Sequence, residues 1–143
     1  MRSKLPAARL VALLLVLGLA GAANADTAPP VTVKTLLTTD TTDIGQPLVL
    51  PSQHPVLVVS TYDIAPGARL ARHKHPFSRY AYVLAGDLTV QFDDGKQRQY
   101  HTGDVVVEAV DTWHFGFNNG KVPVRLLVID QVEKGQASTV LAK

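Results

Sequence analysis

The chain has 143 residues and no cysteine, and its 14 lysines and arginines against 12 aspartates and glutamates give a formal net charge of +2. The absence of cysteine excludes disulfide bonds, thiolate nucleophiles and thiolate metal ligands, so histidine and carboxylate chemistry remain. The length is sufficient for one domain with its own hydrophobic core.

The N-terminal segment, residues 1–25, has the pattern of a secretory signal peptide. Three basic residues flank the start of an apolar run over residues 10–20, and Ala23-Asn24-Ala25 supplies the small residues that signal peptidases require. The apolar run is shorter than the roughly 20 residues of a membrane-spanning helix. We therefore predict cleavage near Ala25 and a periplasmic or secreted protein with no stable membrane anchor. An uncleaved N-terminal anchor is the alternative.

Cleavage at this position changes the charge balance of the chain. The basic residues fall to 11 against 12 acidic ones, so the mature protein has a net charge of −1. Proteins that bind nucleic acids present a strongly basic face. We therefore expect no nucleic-acid partner.

The mature sequence predicts short β-strands separated by turns. Residues 26–46 are predicted as a leader with a first strand over Val31–Leu37, and residues 47–143 as the β-domain. Pro66-Gly67 and Asp93–Lys96 are typical turns. Because no mature segment keeps a 3.6-residue apolar period, the predicted fold class is all-β, a sandwich or small barrel. The further predicted strands cover residues 55–64, 79–84, 88–92, 97–101, 104–109 and 124–132.

Three histidines are the clearest chemical signal in the sequence. Residues i and i+2 of a strand point to the same face, so His73 and His75 lie side by side and Lys74 points away. His114 follows in another strand-like stretch that could bring a third imidazole to the same interior wall. Three neutral imidazoles suit a divalent transition metal: iron, manganese, nickel, copper or zinc. The sequence therefore predicts a metal site with His73, His75 and His114 as ligands.

The spacing around these histidines resembles the two motifs of the cupin superfamily. Gly67-x5-His73-x-His75-x3-Arg79-x6-Gly86 is similar to the first motif, and Gly103-x5-Ala109-x-Asp111-x2-His114-x3-Asn118 is similar to the second. The motifs span residues 67–86 and 103–118. The resemblance implies a single antiparallel jelly-roll β-barrel with a metal in its mouth, held by three histidines and a glutamate. It also implies a small-molecule ligand and a homodimer formed through an edge strand.

The chain departs from the first motif at Arg79, where the family has its glutamate ligand. A guanidinium is always protonated and cannot ligate a metal. Three arrangements follow. Arg79 points out of the barrel or pairs with a carboxylate, an anion such as a substrate carboxylate lies between it and the metal, or the pocket holds an anionic organic ligand and no metal. In the second and third arrangements Arg79 is a substrate- or anion-binding residue.

Other residues are weaker candidates for the site. Tyr80, Trp113, Phe115 and Phe117 are candidates for lining a pocket, with core packing as the alternative role. Glu108 and Asp104 are candidates for pairing with Arg79 or for orienting a histidine, although each is more often solvent-facing. No catalytic acid or base is identified.

Two functions fit this pattern. The first is a dioxygenase-like metalloenzyme that acts on a small anionic or aromatic metabolite. The second is a non-catalytic binding module that senses or sequesters a ligand or the metal, with Arg79 as the anion anchor. Isomerase or lyase chemistry is a third possibility, but it needs a positioned acid or base.

Overall fold

The computed structural model describes residues 31–143, and its strands all lie in the compact unit Lys34–Lys143. The predicted signal peptide, residues 1–25, lies outside the described residues. The described part contains nine strands and no helix. The strands are β1 (Pro55–Ile64), β2 (His73–Lys74), β3 (Arg79–Ala85), β4 (Leu88–Phe92), β5 (Gln97–Tyr100), β6 (Val105–Val107), β7 (His114–Phe117), β8 (Val124–Glu133) and β9 (Val140–Leu141).

The strands form two sheets, and every pairing between named strands is antiparallel. One sheet has the order β1-β8-β3-β6 and the other the order β5-β4-β7-β2-β9. Both sheets contribute buried side chains to one hydrophobic core. The predicted all-β class and the single antiparallel jelly-roll barrel are confirmed.

The long strand β8 illustrates how the sequence builds this core. Its residues alternate between buried and more exposed positions, as expected for a strand with one face toward the interior. Val124, Leu126, Val128 and Val132 occupy the buried positions, and each contributes roughly 1.5–3 kcal/mol by leaving water. Asp130 is the single charged residue in this buried row. A carboxylate at such a position requires a partner.

The final glycine of the first motif, Gly86, fits its turn for two reasons. Its φ of +75° lies in the left-handed region that side chains other than glycine rarely adopt. A Cβ at this position would also lie 2.7 Å from the carbonyl oxygen of Pro123. The turn between β3 and β4 therefore requires glycine.

The predicted first strand, Val31–Leu37, is wrong. This stretch has no regular secondary structure and is exposed, because no neighbouring strand pairs with it within the described residues. The later strands match their predicted positions more closely, although β6 is shorter than the predicted residues 104–109. Within residues 31–143, no helix is long and apolar enough to cross a membrane.

Candidate metal centre

The barrel brings the three predicted histidines together. His73 on β2 lies directly opposite His114 on β7, and His75 continues from β2 to a bridge with Val110. The distances between the ring centroids are 4.8 Å for His73 and His75, 4.6 Å for His73 and His114, and 5.2 Å for His75 and His114. All three side chains are buried. The three histidines that strand alternation and motif spacing placed on one interior wall therefore lie together in the structure.

Backbone carbonyl groups fix the orientation of all three imidazole rings. The Nδ1 atoms of His73, His75 and His114 lie 2.7, 2.9 and 2.8 Å from the carbonyl oxygens of Ala71, Ser138 and Thr112. A carbonyl oxygen only accepts hydrogen bonds, so each Nδ1 carries a proton and donates it. The neutral ring then keeps its lone pair on Nε2. This is the arrangement of histidines that bind a metal through Nε2.

Glu108 completes the cluster from the end of β6. Its Oε2 atom lies 3.0 Å from Nε2 of His114 and 3.1 Å from Nε2 of His75. The contact to His75 lacks hydrogen-bond geometry, and that Nε2 is a buried polar atom without a partner among the described residues. The ligand atoms of the four residues lie within 4.8 Å of one another. Lone pairs that converge on a carboxylate at these distances need a cation between them, either a proton or a metal ion.

The protonation states of the cluster favour metal binding. Burial raises the pKa of Glu108, but the contacts to His114 and His75 and the charge of Arg79 outweigh it and hold that pKa below its ordinary value. Burial lowers the pKa of His73 to about 4, so this ring is neutral near pH 7. Burial also lowers the pKa of His114, but the Glu108 carboxylate reverses the shift and raises it. Without a metal, His114 is therefore where a proton would sit.

Arg79 lies inside the barrel and pairs with Asp130. Its Nε and Nη2 donate to the two carboxylate oxygens of Asp130 at 2.6 and 3.2 Å, and Nη2 also donates to Oγ1 of Thr139 at 3.0 Å. Both charged side chains are only 5 % exposed. Of the three arrangements open from the sequence, pairing with a carboxylate is the one observed.

The register of the four-stranded sheet explains the departure from the family motif. Arg79 on β3 lies opposite Asp130 on β8, and on its other side its carbonyl oxygen accepts a hydrogen bond from the amide of Glu108. Glu108, Arg79 and Asp130 thus lie side by side across three neighbouring strands. The carboxylate missing at position 79 is supplied one strand away, by Glu108. Asp130 then neutralises the arginine.

Two connected sets of residues line the space beside the histidines. A cavity of about 150 Å³ lies next to His73 and Arg79, with Thr139 and Leu141 on one side and Tyr62 and Leu70 among its other lining residues. A smaller space of about 20 Å³ continues inward, lined by Glu108 and His114 among others. A molecule of a few atoms could therefore reach the histidine cluster beside the guanidinium group.

The four predicted pocket-lining residues lie away from these cavities. Tyr80 donates a hydrogen bond from its hydroxyl to Gln131, which lies on the outer face of β8. Phe115 and Phe117 point to the opposite face of β7 from His114. Trp113 lines a separate groove of about 1020 Å³, where the guanidinium of Arg72 stacks on its ring. Alternation along β7 separates Phe115 and Phe117 from the histidine cluster.

The sequence made Glu108 a candidate for orienting a histidine, and its carboxylate does contact His114, but the sequence analysis missed Asp130. Asp104, the other predicted partner of Arg79, instead accepts a hydrogen bond from the amide of His101 at a turn. Glu108 lies inside the second motif, directly before Ala109 and near the end of the strand predicted over residues 104–109. Asp130 could be recognised as the single acidic residue among the inward-facing positions of the last long strand.

The comparisons with known proteins agree with this architecture. The sequence model of the cupin domain (Cupin_2) matches residues 60–130. No curated relative matches the sequence. The solved structure of an uncharacterised protein from Klebsiella pneumoniae with a double-stranded β-helix domain is 21 % identical, with a TM-score of 0.52, over 67 % of this chain and 90 % of that one.

Two enzymes are also similar in structure. DMSP lyase DddQ from Ruegeria pomeroyi is 22 % identical, with a TM-score of 0.52, over 60 % of this chain and 43 % of that enzyme. A recombinant oxalate oxidase in complex with glycolate is 25 % identical, with a TM-score of 0.51, over 59 % of this chain and 45 % of that one. The chain thus matches less than half the length of each enzyme. The two motifs, the sheet topology and the matched cupin domain together establish that the chain belongs to the cupin superfamily.

Proposed function

We propose that this protein is a small metal-dependent cupin enzyme that acts on a small anionic molecule. The ligands to a divalent transition metal would be the side chains of His73, His75, His114 and Glu108. The observation that carries this proposal is the buried Nε2 atom of His75, which has no hydrogen-bond partner among residues 31–143 and faces a carboxylate oxygen. A buried polar atom without a partner destabilises a protein, and a bound cation would remove that penalty.

The four side chains suit such an ion in charge and in chemistry. Three neutral imidazoles and one carboxylate would leave a bound divalent ion with a net charge of +1, which favours an anionic ligand. A bound metal of this kind would supply Lewis acidity and, for iron, manganese or copper, redox chemistry of the dioxygenase type. The chain's own part is to hold the imidazoles through the three backbone carbonyl groups and to keep the site largely dry.

Arg79 would position the anion. Asp130 and Thr139 engage Nε and Nη2, whereas Nη1 has no hydrogen-bond partner among residues 31–143. The guanidinium lines the 150 Å³ cavity beside His73, so its remaining N–H groups can donate to a carboxylate there. The predicted aromatic lining lies elsewhere, which favours a small anion over an aromatic metabolite. The glycolate bound by the oxalate oxidase is a molecule of this size and charge.

A non-catalytic binding module is the second candidate. It is favoured by the Arg79–Asp130 pair, because a neutralised guanidinium attracts an anion less strongly than a free one. The narrow inner space of about 20 Å³ also leaves little room for a substrate to reorient. Such a protein would bind the metal and a small anion without turnover.

Elemental analysis of the purified protein tests the proposal. We expect close to one equivalent of metal per chain, retained in a His54→Ala control because His54 is an exposed histidine outside the site. The variant His75→Ala should lose the metal. Oxygen uptake with glycolate and other small carboxylates then separates the enzyme from the binding module. Protein that stays metal-free after reconstitution with iron, manganese, nickel, copper and zinc ions would overturn the metalloenzyme and leave only a module that binds a small anion at Arg79.

Export and dimerisation stay predictions of their own. Fractionation of a bacterial host, with mass measurement of the mature chain, checks cleavage near Ala25. For the homodimer, β1 is an edge strand of its sheet, and four consecutive residues within it, 56–59, are exposed and apolar. Edge strands of this kind pair readily with another chain. Light scattering on the purified protein measures the oligomeric state.

A further inference from the structure

The last residues of the chain cross the metal centre. We name residues 137–142 the C-terminal strap. The strap contains β9, a strand of two residues at the edge of the five-stranded sheet, whose neighbour is the equally short β2. The side chains of Val140 and Leu141 are exposed. The strap is therefore held by few contacts and little apolar burial, and such elements open more easily than a core strand.

The strap contacts three residues of the site. The carbonyl oxygen of Ser138 accepts the hydrogen bond from Nδ1 of His75 at 2.9 Å. Oγ1 of Thr139 accepts the hydrogen bond from Nη2 of Arg79 at 3.0 Å and lies 3.5 Å from Nδ1 of His75. Leu141 pairs with His73 in the sheet.

These contacts differ from those of the other two imidazoles. His73 and His114 are oriented by the carbonyl groups of Ala71 and Thr112, each two residues earlier in the chain. The carbonyl that orients His75 comes from a position 63 residues away. His75 is also the fully buried ring whose Nε2 lacks a hydrogen-bond partner in the described part of the chain. The orientation of this one ligand thus depends on a distant and weakly held segment.

We propose that the C-terminal strap is a positioning element that completes the metal centre, an inference that rests on the proposed metal site. The backbone of Ser138 holds His75 with its Nε2 toward the ion. Thr139 holds the Arg79 guanidinium at the cavity, and Thr139 and Leu141 form part of the wall of that cavity. The metal-binding and anion-binding parts of the site are therefore coupled through Ser138, Thr139 and Leu141 of the strap.

The test measures cobalt(II) affinity and the visible absorption spectrum of the cobalt-loaded protein for the full chain and for a chain that ends at Ala137. Loss of the group that orients a metal-ligating histidine typically lowers metal affinity by roughly 10- to 100-fold. We expect a decrease of this size and an altered cobalt spectrum in the shortened chain. Ser138→Ala is the matched control and should behave as the wild type, because the contact uses the backbone carbonyl.

A second variant tests the same inference if the shortened chain does not fold. Val140→Pro should loosen β9 while it leaves every site residue in place, since proline fits poorly into strand pairing. This variant should bind cobalt more weakly, whereas the temperature at which the barrel unfolds should stay close to that of the wild type. Thr139→Val should instead leave cobalt affinity unchanged and weaken glycolate binding to the cobalt-loaded protein about tenfold, through Arg79.

The outcomes separate this inference from the proposed function. A wild-type chain that binds no cobalt contradicts the metal site itself. A wild-type chain that binds cobalt, with a shortened chain or Val140→Pro variant of equal affinity and identical spectrum, overturns the strap alone. An unchanged response to glycolate in Thr139→Val removes the link between the strap and Arg79.

Discussion

Two buried polar clusters lie next to each other in this barrel and differ in whether they are complete as they stand. Asp130 satisfies Arg79 through two hydrogen bonds, and the opposite charges cancel. In the histidine cluster, one carboxylate oxygen of Glu108 faces two Nε2 atoms, and the buried Nε2 atom of His75 has no hydrogen-bond partner within residues 31–143. The first cluster is already neutral in charge and keeps only N–H donors of Arg79 to spare, whereas the second still needs a cation.

The comparison distinguishes buried charges that stabilise the fold from buried groups that are arranged to bind an ion. Buried ion pairs are strongly destabilised when one partner is removed, because the other charge stays buried and unpaired. In a group of side chains arranged to bind an ion, the lone pairs face one another and repel until the ion is present. The two clusters should therefore respond in opposite directions to removal of a carboxylate charge.

The largest expected effect is on the complete cluster. Asp130→Asn leaves the Arg79 guanidinium buried beside a neutral amide, and we expect a loss of about 3–5 kcal/mol in the free energy of unfolding. Urea denaturation followed by circular dichroism measures it. The double variant Arg79→Met with Asp130→Leu removes both charges and should recover most of the loss. A single Asp130→Asn variant as stable as the wild type would show that Arg79 finds another partner.

The second prediction concerns the incomplete cluster. Glu108→Gln keeps the shape of the side chain, but its amide can donate to a histidine Nε2 in the metal-free protein. Metal affinity should fall at least about 100-fold, or about 2.7 kcal/mol, while the metal-free protein keeps or gains stability. A chelator competition and urea denaturation of the metal-free variant measure these two quantities.

Asp104→Asn is the matched control for Glu108→Gln. Asp104 is a carboxylate of the same region that bonds a turn amide and lies outside the cluster. Its substitution should leave metal affinity unchanged. Equal metal affinity in the Glu108→Gln variant would remove Glu108 from the ligand set and leave a site of three histidines.

The third prediction uses pH to separate the histidines. The pKa of His73 falls from 6.5 to about 4 on folding because the ring is buried. Between these values the unfolded chain binds a proton that the folded chain does not, so this group makes the metal-free protein less stable as the pH falls. We expect roughly 1.5 kcal/mol from His73 between pH 6.5 and 5.

Comparison with a His73→Gln variant isolates this contribution. The raised pKa of His114 acts in the opposite direction, since its stabilising contribution is present at low pH and is lost as the pH rises through that value. Removal of His73 should therefore flatten the fall in stability toward low pH. Identical slopes for the two proteins would mean that His73 is protonated in the fold.

The parts of the site that could be predicted follow from local periodicity. Alternation along a strand is enough to place His73 beside His75, and the motif spacing is enough to add His114. The sequence left the orientation of Arg79 open, and the structure places it in the buried row of β3 with Ala81 and Val83. The fold class follows from the density of short strands and turns.

The parts that could not be predicted depend on register between strands distant in sequence. The positions of Glu108 and Asp130 on either side of Arg79 are set by how β6, β3 and β8 align, and β3 carries an irregularity between Val83 and Ala85. A shift of one residue would turn each of these side chains to the other face. The exposed stretch Val31–Leu37 has strand-like composition, but composition does not supply a partner strand.

The smallest expected effect lies on the outer face of the same strand as Asp130. Arg125 pairs with Asp63 at 2.8 Å, and the two side chains are 60 % and 57 % exposed. Water already solvates both charges, so Arg125→Gln should change the free energy of unfolding by less than about 1 kcal/mol, and added salt should reduce even that. Urea denaturation at low and high salt measures it. A loss comparable to that of Asp130→Asn would mean that charge pairing in β8, rather than burial of the pair, governs stability. A small loss would instead mean that the two variants differ because Asp130 lies in the interior and Arg125 lies at the surface.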